Sequence, residues 1–352
     1  MVSSELLSSK KNADKKPADG LSEFEIIRHY FSGIGREFEA RSEHVIISGG
    51  DDCALLALPE NQQLAVSIDT LVANRHFPAD ASPDDIAFRA LAVSVSDLAA
   101  MGARPIAFTL ALTLPEFEPR WLAQFSQGLT AAAQQYGMAL IGGDTTRGPL
   151  TITLQVHGAV APSMALRRSA AQAGDKIFVS GSLGDAAIAL DILQQRLSVT
   201  DEFDYFYSRF YRPSARVDLG QALVGVANTA IDISDGLLAD LGHILAASDV
   251  AAQLQLAQLP RSAQMSALVD KGLLSDAVCE QHMLSGGDDY ELCFTVGAEQ
   301  CESLIKISEK FAINITEVGA VVPYTDRSKS RLQCFDKEGE LVVYQKTGFQ
   351  HF

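Results

Sequence analysis

Between Ser82 and Gly102 the chain carries a helix with almost no polar side to give to water. Ser82-Pro83-Asp84-Asp85 opens it: serine suits a helix start, proline the first turn, and the two acids complement the helix dipole. The helix runs towards Met101, with Gly102 as its stop. Ile86, Ala90, Val93 and Met101 share one stripe, while Leu91, Val95 and Leu98 occupy other faces, so the helix must be buried. Asp97 falls on the first stripe. A carboxylate buried without a partner is costly, so Asp97 requires a metal ion, an arginine or a cluster of donors.

Asp97 is one of a series of acids placed at the ends of apolar runs or beside glycines. The others are Gly50-Asp51-Asp52, Ser67-Ile68-Asp69, Gly143-Asp144, Asp232-Ile233-Ser234-Asp235 and Gly287-Asp288-Asp289. Two carboxylates about 4 Å apart repel by roughly 4 kcal/mol at an effective dielectric of about 20. If these groups converge, the site needs cations. Hard oxygen ligands with no Cys/His cluster point to Mg²⁺ rather than zinc, and such sites commonly handle phosphates.

The chain has 352 residues, too many for one ordinary core, so two domains are expected. A net charge of −16 argues against a nucleic-acid surface, which needs Lys and Arg to displace phosphate counterions. An acidic protein that handles phosphates must take them in as metal complexes, although acidity for solubility alone explains the charge equally well. Cys53, Cys279, Cys293, Cys301 and Cys334 form no CxxC pair and read as reduced thiols of a cytoplasmic protein. Residues 1–20 read as a solvated, disordered tail, and no run of about 18 apolar residues offers a membrane span.

Leu64–Ile68 reads as a strand ending at Asp69, and Ile106–Leu114 and Thr151–Val160 as alternating strands with one face in a core. A helix through Leu122, Phe125 and Leu129 closes near Gly137. Pro162-Ser163 and Arg167-Arg168 look like a boundary, dividing the chain into 21–162 and 163–352. Beyond it come strands at Lys176–Val179, Ala230–Ile233 and Leu292–Val296, and helices at Asp185–Leu193, Ser214–Val226 and Leu237–Ala247. Two final strands lie near 331–335 and 341–345, and the fold class is α/β (α+β).

Gly142-Gly143-Asp144-Thr145-Thr146-Arg147-Gly148 lets the backbone approach a phosphate, but a tight turn with a solvated Asp has the same composition. It is not a P-loop, since no Gly-Lys-Ser/Thr follows, and there is no HRD or DFG set. Asp232-Ile233-Ser234-Asp235-Gly236 joins a strand to a helix, where free N–H groups meet anions and alternating acids reach one cation. The same residues also serve as plain helix caps. His76 sits in a polar loop, and Arg168 is either a phosphate clamp or a surface charge.

Together, Gly-Asp-Asp-Cys-Ala-Leu-Leu (50–56), Ser-Asp-Leu-Ala-Ala-Met-Gly-Ala (96–103), Gly-Gly-Asp-Thr-Thr-Arg-Gly-Pro-Leu (142–150), Ala-Ile-Asp-Ile-Ser-Asp-Gly-Leu (230–237) and Gly-Gly-Asp-Asp-Tyr-Glu-Leu-Cys-Phe (286–294) resemble the thiamine-monophosphate kinases in order and spacing. The likeness runs from about Leu21 to Phe352. It implies an aminoimidazole-ribonucleotide-synthetase-like fold of two α/β domains, with a homodimer built on the N-terminal sheets. The implied reaction is transfer of the ATP γ-phosphoryl group to thiamine monophosphate. Carried over by position, Asp52, Ser67, Asp69, Asp97, Asp144, Asp232 and Asp235 would hold several Mg²⁺ ions, with K⁺ a further candidate ion. Asp69, Asp97 and Asp144 are expected to bridge metals between the two substrates; Gly143, Asp144, Arg168 and Ser234 would contact ATP; His76, Asp288 and Phe349 would face thiamine. The chain departs from the family pattern at Ile68, where Thr is usual, at Asp288, where Glu is usual, and at Lys346, where Trp is usual.

Other members of the superfamily fit less well. A selenophosphate synthetase needs a Cys in its N-terminal segment, and residues 1–45 contain none. A hydrogenase-maturation protein ends in Cys, whereas this chain ends His351-Phe352. An aminoimidazole-ribonucleotide synthetase stays formally open, as do a two-metal phosphohydrolase and a metal-binding module without catalysis.

Overall fold

The computed structural model describes residues 21, 23–39, 44–49, 51–345 and 348. The expected tail at 1–20, Gly50, Lys346 and Phe349 lie outside them. In chain order the elements begin with α1 (Glu23–Ile26), a π-helical turn (Ile27–Phe31), α2 (Arg36–Glu39), β1 (Val45–Ile47), β2 (Leu55–Leu56) and β3 (Gln63–Val72). Then follow α3 (Pro83–Ala100), β4 (Arg104–Leu114), α4 (Pro119–Tyr136), β5 (Ala139–Arg147) and β6 (Thr151–Val160). A second run contains β7 (Lys176–Ser180), α5 (Asp185–Leu193), α6 (Phe203–Tyr211), α7 (Val217–Leu223), β8 (Thr229–Asp232), α8 (Leu237–Ser248) and β9 (Val250–Gln255). It closes with α9 (Ala263–Asp270), α10 (Asp276–Ser285), β10 (Leu292–Val296), α11 (Cys301–Phe311), β11 (Ile315–Pro323), β12 (Leu332–Phe335) and β13 (Leu341–Val342).

The first run builds a four-stranded sheet in the order β3-β6-β4-β5, antiparallel except between β4 and β5. The second builds a seven-stranded sheet, β13-β12-β9-β11-β7-β10-β8, in which only β12 and β9 run parallel. Alternation decides which way each strand faces. On β3, Leu64, Val66, Ile68 and Thr70 are exposed, while Ser67 and Asp69 turn inward and Leu71 is buried. The inward face packs on α3 and α4, whose Ile86, Leu91, Val95, Leu122, Phe125 and Leu129 are all fully covered. Each such side chain contributes about 1.5–3 kcal/mol by leaving water.

The buried helix expected from the sequence is α3, and it lies between both sheets. Its Ala99 and Ala100 enter a separate core with Phe178, Leu219, Leu223 and Phe294 from the second run. Ser82 occupies the N-cap position, but its hydroxyl donates to Asp84 instead of capping the backbone. Three readings from the sequence are corrected by the structure. The strand around Leu64 does not end at Asp69 but continues to Val72. Gly142–Thr146 is neither loop nor tight turn, since it lies inside β5. The helix expected over Ser214–Val226 is only Val217–Leu223, because α6 turns the chain just before it.

Candidate active site

Three aspartates from three elements converge: Asp69 from the middle of β3, Asp97 from the last turns of α3, and Asp232 from the end of β8. Ser67, two residues before Asp69 and on the same face of β3, donates its hydroxyl to Asp97. Burial pushes Asp69 up to about 6, and the charge of Asp97 adds to the rise. Burial likewise raises Asp97, against the pull of the Ser67 hydroxyl and the charge of Arg168. Asp232 is 5% exposed; burial, and then the charge of Asp97, push it up to about 8. All three net shifts are upward, so the surrounding positive charge does not offset burial and mutual repulsion.

The turn after Asp232 is fixed from below. Asp240, in the first turn of α8, accepts from the backbone N–H groups of Ser234, Asp235 and Gly236 at 3.0, 3.0 and 3.1 Å. One buried carboxylate thereby sets the direction of Ser234 and Asp235. Gly287 closes over this turn: a Cβ there would stand 2.6 Å from the Ser234 carbonyl oxygen, and its φ of +71° favours glycine.

These groups open on a cavity of about 670 Å³, lined at the acidic end by Asp69, Asp97, Asp232, Ser234 and Asp235. His76, Phe77, Arg89, Phe210, Asp288 and Tyr290 line the rest. His76 accepts the Val72 N–H on Nδ1 at 3.0 Å. The structure thus brings Asp69, Asp97, Asp232, Ser234, Asp235, His76 and Asp288 to one cavity, with Ser67 bonded to its wall. Asp52, Gly143 and Asp144 do not line it. Asp144 is exposed on the edge strand β5, and Gly143 lets β5 approach β4, since a Cβ would stand 1.9 Å from the Leu110 carbonyl oxygen. Arg168 is exposed and acts on Asp97 through its charge.

Sequence reasoning missed Arg89, Tyr290 and Asp240. Arg89 had a signal: it is the sole Lys or Arg within a helix that must be buried. Its guanidinium is 2% exposed and pairs with Asp288 at 2.6 Å.

The donor set suits a hard divalent cation. All of it is oxygen, Asp232 is buried, and burial and mutual repulsion outweigh the charge of Arg168. The Ser96 hydroxyl beside Asp232 is buried without a well-formed hydrogen bond. Among the described residues, no group of three or more His, Cys, Asp or Glu side chains is arranged to hold a metal ion as it stands.

A helix buried between two unequal sheets, with an acidic cavity at their junction, defines the class, and residues 50–160 match the AIR synthase related protein family, N-terminal domain. The chain is 46% identical over 335 residues to the thiamine-monophosphate kinase of Escherichia coli K12, covering 94% of this chain and 98% of that one. The crystal structure of thiamine-monophosphate kinase from Stenotrophomonas maltophilia K279a superposes with a TM-score of 0.79 at 42% identity, covering 88% of this chain and 95% of that chain. A structure of AaThiL complexed with AMPPCP and TMP gives 0.73 at 27% identity, covering 90% and 94%. The chain belongs to the thiamine-monophosphate kinase family.

Proposed function

We propose that this chain transfers the γ-phosphoryl group of ATP to the phosphate of thiamine monophosphate, giving thiamine diphosphate and ADP. The observation that carries the reading is the cluster of Asp69, Asp97 and Asp232, in a chain this similar to thiamine-monophosphate kinases over nearly its whole length. The nucleophile is a phosphate oxygen, anionic at neutral pH, so no general base is needed. The cavity agrees: His76 spends Nδ1 on the backbone of Val72. Catalysis then consists of alignment and charge neutralisation.

Asp52, Ser67, Asp69, Asp97, Asp144, Asp232 and Asp235 are the residues that would hold Mg²⁺, with K⁺ as a further ion. Bound there, Mg²⁺ supplies the positive charge that lets two phosphorylated molecules meet. In this reading Asp69 and Asp97 on the cavity, with Asp144 on the edge strand β5 outside it, orient the donor and acceptor phosphates; Gly143 and Asp144, likewise outside it, hold ATP with Arg168 and Ser234; His76, Asp288 and Phe349 hold the thiamine end. The domain division at 162/163, cytoplasmic residence and the lack of a nucleic-acid partner belong to the same reading. Among the described residues, no helix is long and apolar enough to cross a membrane.

The homodimer joins the four-stranded sheets through the open face of β3. Leu64, Val66 and Ile68 are 45, 49 and 60% exposed there, an apolar row that a second copy would cover. Ile68, where relatives often carry Thr, adds apolar area to that face, because its side chain points away from Asp69 and Ser67.

The test is ADP formation with and without thiamine monophosphate. A kinase makes ADP only with the acceptor present; ADP without it identifies a hydrolase, and none in either case leaves a binding protein.

A second expectation follows from the raised carboxylates. The folded, ion-free protein keeps protons on Asp69 and Asp232 that the unfolded chain, with carboxylates near 4, has released. Their contribution to stability is therefore lost as pH rises from about 4 to about 8. A bound cation removes that penalty, so millimolar Mg²⁺ should raise the melting temperature more near pH 8 than near pH 5. An equal rise at both pH values would mean that these carboxylates do not hold it.

A further inference from the structure

Arg89 stands where the cavity leaves the acidic end, and its contacts are unusual for a residue of a buried helix. Nη1 donates to the Phe210 carbonyl oxygen at 2.6 Å, Nη2 donates to Asp288 Oδ1 at 2.6 Å, and the guanidinium lies 4.1 Å from the centre of the Phe210 ring. Its Nε is buried without a hydrogen-bond partner. The Tyr290 hydroxyl donates to the same Asp288 oxygen at 3.0 Å. Two donors thus converge on Oδ1, and among the described residues nothing donates to Oδ2. The Asp288 side chain keeps 32% of its exposure, on a cavity it helps to line.

The backbone is held to the same end. Asp288 and Tyr290 both have left-handed φ values, 62° and 51°, which are strained for a non-glycine residue. The conformation persists because the Asp288 N–H donates to Ser234 O at 2.8 Å and the Tyr290 N–H to Ile233 O at 2.9 Å. The turn that carries Asp232 and Asp235 therefore also sets Asp288. Strain of this kind, over-determined by its surroundings, marks a side chain held in one place.

We propose that Arg89 and Tyr290 are positioning residues for the acceptor. They clamp one oxygen of Asp288 so that the other faces the cavity as a fixed hydrogen-bond acceptor for the exocyclic amine of the aminopyrimidine ring. The pairing also neutralises Arg89, which would otherwise repel a cationic thiazolium ring in the same cavity. A fixed acceptor discriminates by chemistry: an analogue with a carbonyl in place of the amine sets an acceptor against the Asp288 oxygen at that position and leaves it without its donor. The inference rests on the reading that thiamine monophosphate is the acceptor, and it adds how the chain selects it.

The experiment compares kcat/KM for thiamine monophosphate and for oxythiamine monophosphate, in which a carbonyl replaces the amine. It uses the full-length wild type and the Arg89→Lys, Arg89→Met and Tyr290→Phe variants. Wild type should favour the amine substrate by at least about tenfold. In each variant that ratio should fall several-fold, with KM for ATP within about twofold of wild type. Tyr290→Phe removes one hydroxyl and keeps the ring, so it stays informative if an Arg89 variant does not fold. A preference ratio unchanged in folded variants, or equal losses for ATP and both acceptors, overturns the proposal and leaves Arg89 and Tyr290 as packing residues. If wild type makes no ADP with thiamine monophosphate, the function reading itself fails, which is a different result.

Discussion

Replacing Asp97 by Asn lowers kcat by at least about a hundredfold while the ion-free protein becomes more stable, not less. The rate loss follows from charge. Asparagine keeps the shape of the side chain and can still accept from Ser67, but in the proposed role it would no longer supply the negative charge that holds a cation between two phosphate groups; losing one such electrostatic contact typically costs about a hundred- to a thousandfold. The stability gain follows from the same charge read the other way. Asp97 is held against Asp232 and Asp69, both pushed upward in part by its presence. Removing that charge relieves the repulsion when no ion is bound. Steady-state kinetics across a Mg²⁺ titration, with melting curves taken without Mg²⁺, measure both halves. A turnover near wild type at saturating Mg²⁺ would remove Asp97 from the chemistry; a fall in stability with the fall in rate would make it a structural residue.

Opposite signs arise because the fold spends stability to assemble the site. The helix that carries Asp97 is legible in the sequence: its apolar faces, its proline start and its glycine stop each specify a local choice, and those choices agree with its place between the sheets. Asp232 is legible in the same way, at the end of a short buried strand. Asp69 is less so. Continuation of β3 to Val72 depends on ten residues of pairing with β6, from Gln63 opposite Val160 to Val72 opposite Thr151, and that partner is remote in sequence. The tight turn offered as an alternative at Gly142–Thr146 fails for the same reason: glycines suggest a turn, but β4 runs beside them and supplies the pairing. Arg89 and Tyr290 leave local traces, a lone cation in a buried helix and a place in the 286–294 motif, but neither these nor Asp240 announce a partner. Their roles come from what they touch, with 199 positions separating Arg89 from Asp288, and no periodicity records such a contact. Local propensity announces elements; it does not announce which distant strand or carboxylate completes them.

The largest effect on stability is expected at Arg209, outside the cavity wall. Asp185, Asp289 and Glu291 are all buried, with 0, 2 and 1% exposure, and share two guanidiniums. Arg216 grips Glu291 with two bonds, 2.6 Å from Nε to Oε2 and 2.5 Å from Nη2 to Oε1. Arg209 spans the remainder, 3.2 Å from Glu291 and 3.6 Å from Asp185. Burial pushes Glu291 upward, yet Arg216 and Arg209 together hold it below the usual carboxylate range. Asp289, which accepts from the Gly184 N–H, stays well above it because burial dominates. Substituting Arg209→Met leaves three buried carboxylates with one cation. Breaking such a network by removing one partner costs about 3–5 kcal/mol, a drop in melting temperature of roughly 5 °C for a chain of this size. The pH dependence identifies the cause. Without Arg209 the folded-state affinity of these carboxylates for protons rises further, so the deficit should shrink near pH 5 and widen near pH 8. Because Asp289 directly follows Asp288 and Glu291 lies three positions beyond it, KM for the acceptor should rise as well. Melting within about 2 °C of wild type at both pH values would show that Arg209 fills space rather than balancing charge, and Arg209→Lys, which restores the charge without the fork, should recover only part of the loss.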